Sequence, residues 1–126
     1  MNWNRITRGE PKVLGVNRKH SGLLNVAIPL SESPPREWAS YFERPVGISI
    51  RLSMHPPKLH GASVSITPPD EELEAYIKHV DERIEAANAS FETQILPRLQ
   101  AQEERQRKAE SDEEQRLRAA RERLKK

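Results

Sequence analysis

His55 and His60 flank a proline-rich turn with Lys58 between them, and this pair of imidazoles comes nearest to a metal site in the chain. A structural or catalytic zinc needs at least three protein ligands. The sequence brings no third ligand to this loop, so the pair reads as a solvated turn and no metal is expected. His79 falls on the polar side of a helical pattern beside Asp81 and Glu82 and reads as a surface residue. His20 belongs to the turn Arg18-Lys19-His20. There is no cysteine, which removes thiolate chemistry and disulfides and fits a reducing compartment.

Carboxylates that do acid–base work sit in pockets whose surroundings displace their pKa. In this chain the acids crowd onto helical stretches among other charges, the pattern of a solvated face. G-x-S-x-G, P-loop, G-x-G-x-x-G and H-E-x-x-H motifs are all missing. Five glycines leave little with which to build a phosphate cradle. The expectation is a protein that is not an enzyme and carries no cofactor.

The elements that would position these residues follow from periodicity. Lys12 to Asn17 reads as a short strand that Gly15 weakens. Leu24, Val26, Ile28 and Leu30 share one face of a second strand, and the simplest arrangement is a hairpin of the two. Val46, Ile48, Ile50, Leu52 and Met54 alternate without a break and predict a third. The loop from His55 to Gly61 turns the chain, and Ala62, Val64 and Ile66 mark a fourth strand that pairs with the third.

Two helix starts resemble one another. In Ser33-Pro34-Pro35 the serine is the expected cap and Pro34 the first helical residue. Trp38, Tyr41 and Phe42 then form an aromatic face, and Pro45 ends the segment. In Thr67-Pro68-Pro69 the threonine is the expected cap, and Asp70, Glu71 and Glu72 suit the positive end of the helix dipole. Leu73, Ile77, Val80, Ile84, Ala87 and Phe91 step by four and three, a heptad seam that Ile95 and Leu96 prolong before Pro97 breaks or kinks it.

After Pro97 apolar residues are sparse, but acid-to-base pairs recur one turn apart: Glu103 with Arg107, Glu104 with Lys108, Asp112 with Arg116, Glu114 with Arg118 and Glu122 with Lys126. Each adds ~0.2–0.5 kcal/mol of helicity, so a partly populated helix is expected. The fold class is therefore α+β: a small, mainly antiparallel four-stranded sheet in ββαββα order, with one short and one long helix. Residues 1–96 form the head, with the long amphipathic helix over 68–96. Residues 97–126 form a charged helical or partly disordered extension.

The 126 residues are 35% hydrophobic and 32% charged, with a mean hydropathy of -0.83, room for one domain. The opening residues lack the apolar core of a secretory signal, and no run is long enough to span a membrane. A cytoplasmic protein without membrane contact is expected. The net charge of +2 is unevenly spread. Bases prevail up to His60, while acids prevail from Gly61 to Leu96. A basic head attracts an acidic partner or a nucleic acid; more simply, the acidic helix lies against the basic head of its own chain.

A helix of some thirty residues is about 45 Å long, whereas the strands beneath it run only ~20–25 Å. Half of the seam should then project, leaving Ile84, Ala87, Phe91 and Ile95 as partner-binding residues for a protein partner or a second copy. The alternative is that the segment around Trp3 and Ile6 folds back over them. The function expected is a protein–protein interaction module, an accessory subunit or adaptor that oligomerises as a coiled coil through its long helix. The rival is a nucleic-acid-binding accessory protein that uses Arg18, Lys19, Arg51 and Lys58 on a Ser-rich sheet face. That face lacks the aromatic rings on which single strands stack.

Overall fold

The computed structural model describes residues 3–19, 22–45, 47 and 55–125. Its elements run β1 (Lys12–Val16), β2 (Leu24–Pro29), α1 (Arg36–Glu43), β3 (Lys58–His60), β4 (Ser63–Ile66), α2 (Leu73–Ser90) and α3 (Leu96–Leu124). A 3-10 turn at Asp70–Glu72 leads into α2, and a π turn at Phe91–Ile95 joins α2 to α3. The fold is α+β, in the ββαββα order read from the sequence. The sheet is antiparallel throughout, with strand order β1-β2-β4-β3.

β1 and β2 form the expected hairpin, with a bulge that leaves Leu14 unpaired between Val13 and Gly15, next to the φ of 152° at Gly15. β4 pairs on one side with β2 and on the other with β3. The short β3 lies within the stretch expected to be loop. It is closed onto β4 through Gly61, whose φ of 56° is a left-handed conformation that glycine adopts without strain. The strand expected from Val46 to Met54, Arg51 included, lies outside the described residues.

Neither helix begins with the expected cap. α1 starts after Pro35 and the 3-10 turn after Pro69, without a side-chain cap bond. The reason is the proline pair itself. A residue that precedes proline is driven out of the α region, and Pro35 and Pro69 are themselves extended, with ψ of 156° and 152°, so each helix begins only after the second proline. Pro97 likewise does not end the helix. It lacks the N–H that would bond back to Thr93, and the π turn immediately before it absorbs the missing bond.

One face of the sheet carries the core. Val26, Ile28, Val64 and Ile66 pack with Trp38 and Phe42 of α1, Tyr76, Val80, Ile84 and Ala87 of α2, and Phe91 and Ile95 of the π turn. Burying each large side chain contributes ~1.5–3 kcal/mol. Asn25, Ala27, Ser63 and Ser65 occupy the other face and are half-buried.

Candidate functional site

Residues 3–9 form a strap that is tied to the head along its length. Arg8 bridges to Leu30 beside β2, and Gly9 N–H bonds to Pro29 O at 2.7 Å, so this end is held by the sheet. From there the strap runs along α2 in the opposite direction to the helix. The guanidinium of Arg8 pairs with Asp81. Arg5 pairs with Glu85 at 3.0 Å and with Glu92 at 3.1 Å. Trp3 donates its indole N–H to Glu92 at 3.0 Å, and its ring lies 4.4 Å from that of Phe91. The Trp3 indole N–H, followed by Arg5, holds the Glu92 carboxyl below its ordinary pKa. The basic strap thus neutralises the acidic helix within one chain.

Beneath these ion pairs lies a polar knot. Asn88 Oδ1 accepts the Ile6 N–H at 3.0 Å and the Trp38 indole N–H at 2.9 Å, while Asn88 Nδ2 donates to Ile6 O at 2.9 Å. Ile6, Trp38 and Asn88 are all buried. One amide side chain therefore locks the strap, α1 and α2 together.

This arrangement corrects the sequence reading at its main point. Ile84, Ala87, Phe91 and Ile95 are buried in the core of the single chain and offer no free contact surface. The strap and α1 cover the part of the seam that the sheet cannot reach. The alternative in which the segment around Trp3 and Ile6 folds back is the one observed.

A second buried cluster holds α1 against α2. Arg83 donates from Nε to His79 Nε2 at 2.8 Å and from Nη1 to Phe42 O and Glu43 O at 3.0 and 3.2 Å. The carbonyl end of a helix is its negative pole, so α1 receives the guanidinium where the field favours it. Burial pulls the Arg83 pKa below its ordinary value. His79 is buried here and is not the surface residue expected. Among the described residues, no buried side-chain nitrogen or oxygen lacks a hydrogen-bond partner.

The remaining candidates are dispersed. His55 is exposed and donates its backbone N–H to Tyr76 Oη at 3.3 Å, whereas His60 stands on β3. Among the described residues, no group of three or more His, Asp or Glu could hold a metal ion. Arg18 and Lys19 follow β1 at one edge of the sheet and Lys58 lies on β3 at the other, so the structure does not bring these cations together. No helix among the described residues is long and apolar enough to cross a membrane.

Two surfaces were partly or wholly missed by sequence reasoning. One is α3, 29 residues without a buried side chain, on which Leu117 and Leu124 are 50% and 86% exposed. The other is β1, where Val13, Leu14 and Val16 are 56%, 70% and 57% exposed. Comparison of the chain with protein-family models, with curated proteins and with solved structures finds no match.

Proposed function

We propose that this chain is a non-enzymatic cytoplasmic interaction module, an accessory subunit or adaptor, that associates with a protein partner through its long C-terminal helix. The observation that carries this reading is that none of the 29 residues of α3 is buried. The helix is about 44 Å long, and among the described residues only its first turn, through the half-buried Leu96 and Leu99, packs against the core. Along it, the pairs Glu103–Arg107 and Glu114–Arg118 approach to 3.7 and 3.9 Å at the surface. Such pairs contribute ~0.2–0.5 kcal/mol each, and a firm helix needs burial along one side.

The contact surface therefore moves from the sealed seam to α3. Leu117 and Leu124 are one heptad apart with Ala120 between them, a short apolar patch near the end of the arm. Leu96 and Leu99 begin the same two rows at the head. Between the two ends, these rows carry Glu103, Gln106, Glu110 and Glu113. A second copy laid in parallel register would set each glutamate against itself, which destabilises a coiled coil. Leu96 and Leu99 are half-buried against the core, so the open apolar patch is that of Leu117 and Leu124, and the partner favoured by this pattern is an amphipathic helix with leucine-like residues against that patch and Lys or Arg along the glutamates.

The test uses the native chain and the L117K/L124K variant as baits in extract of the source cells, followed by reconstitution with each purified captured protein. Proteins bound by the native chain and lost from the variant, with a helical contact segment of the stated charge, support the reading. Identical capture by both baits, or a partner that binds with α3 still uncovered, overturns it.

A further inference from the structure

β1 closes one end of the sheet, and the edge it turns away from β2 has no strand beside it among the described residues. Edge strands are ordinarily short, charged or covered, because an open apolar edge templates pairing with another chain. This one carries three exposed large apolar residues in its five positions. Val13 pairs with the buried Val26, so the apolar row of the core continues onto β1, where no helix covers it.

We infer that β1 is the docking edge for β1 of a second copy, in antiparallel register. The sequence is self-complementary about the centre of this strand. Setting Leu14 opposite Gly15 of the second copy places Val13 opposite Val16 and Lys12 opposite Asn17, and brings Glu10, just before the strand, alongside the bend after it that holds Lys19. Each leucine then lies over the space that a glycine leaves, and each valine meets a β-branched residue on the same face, a favourable cross-strand pair. Like charges do not meet at any of these positions, and Glu10 and Lys19 form an ion pair twice. Shifting the register by two residues sets Lys12 against Lys19 in one direction and Arg8 against Lys19 in the other, and loses both ion pairs.

The bulge between Val13 and Gly15, which would disrupt pairing with a flat strand, falls on the two-fold axis. Both strands therefore bend at the same place. The product is one continuous eight-stranded sheet with the two charged arms outside it. A contact of this size belongs among weak, transient interfaces. It does not involve α3, so it stands or falls separately from the function proposed above.

The test is sedimentation equilibrium or light scattering of the full chain from ~10 μM to ~1 mM, the range in which such an interface assembles. The mass should rise from 14.5 kDa toward twice that value. E10K and K19E should each weaken the dimer about tenfold, because each sets two like-charge pairs across the contact. The double variant E10K/K19E should restore the native dissociation constant to within about twofold, since the ion pairs are reversed and remade. L14D should abolish the dimer, and L117K/L124K should leave it unchanged. All of these positions are exposed, and circular dichroism and melting of each variant separate loss of pairing from loss of fold. A mass that stays at 14.5 kDa throughout would give this edge to a different polypeptide and overturn the inference. So would single charge reversals without effect, or a dimer lost only in L117K/L124K.

Discussion

The side-chain amide of Asn88 bonds to both backbone groups of Ile6, accepting the N–H at 3.0 Å and donating to the carbonyl at 2.9 Å. A single residue on α2 thus stands in for the neighbouring strand that the strap lacks along the helix. Its oxygen also accepts the Trp38 indole N–H, which ties the same point to α1. The closed seam therefore holds a polar contact as well as the apolar ones.

Asn88→Ala should therefore be among the most damaging single changes in the head. It leaves the Ile6 N–H and carbonyl and the Trp38 indole N–H buried without partners, at ~1–3 kcal/mol for each group that water cannot reach. We expect a loss of about 3–4 kcal/mol by urea denaturation, against under 0.5 kcal/mol for the exposed Ala119→Ser on α3. A loss for Asn88→Ala as small as that of the control would show that the strap is not held there.

Acid should loosen the strap before it unfolds the head. The Glu92 carboxyl is held below its ordinary pKa, chiefly by the Trp3 indole N–H and then by Arg5. A carboxylate depressed in the folded state adds stability that is fully present above its unfolded pKa and is lost as pH falls through the lower, folded value. The Trp3 indole resonance should accordingly shift in the acid range below the ordinary carboxylate pKa, while the buried Trp38 resonance holds. In Glu92→Gln the Trp3 transition should vanish. A Trp3 transition that persists in the variant would assign the effect to another carboxylate.

Arg83 should not be replaceable by lysine. Its guanidinium reaches His79 and two α1 carbonyls from separate nitrogens. An ammonium at the end of a flexible stem cannot reproduce that fork. Arg83→Lys should cost most of what Arg83→Ala costs, about 2–4 kcal/mol by thermal or urea unfolding. A lysine variant with native stability would mean that charge alone is required at the end of α1.

The parts of this fold legible in the sequence are those where neighbours in the chain decide the outcome. Leu24 to Leu30 and Ala62 to Ile66 alternate because one face of each strand is buried, and Trp38 and Phe42 share a helical face for the same reason. The helix starts were legible to within a few residues, but their caps were not, because Pro35 and Pro69 impose a second local rule on top of the first. β3 has only three residues, too few to display a period.

What escaped was decided from far along the chain. Asn88, His79 and Arg83 have the composition of a polar helix face. They become interior only because the strap returns across more than eighty positions and α1 closes over them. The seam was read correctly as apolar and wrongly as open for the same reason. The length of α2 against the sheet says nothing about a third covering layer.

Exposed positions of α3 should behave oppositely to Asn88. L117K/L124K should leave the urea midpoint of the head within the range of a surface change, under ~0.5 kcal/mol, while removing partner capture. A large loss of stability would place those leucines against the head and remove the reason for assigning them to a partner.

Hydrogen exchange along the full chain, followed by mass spectrometry at low protein concentration, tests the central division into a sealed head and an uncovered arm most directly. The account predicts strong protection of the Ile6 amide and of the α2 amides around Val80 to Asn88, with amides from about Gln102 to Leu124 exchanging orders of magnitude faster. An Ile6 amide that exchanges at the rate of an unstructured peptide, or an α3 as slow as α2 in the isolated monomer, would contradict it.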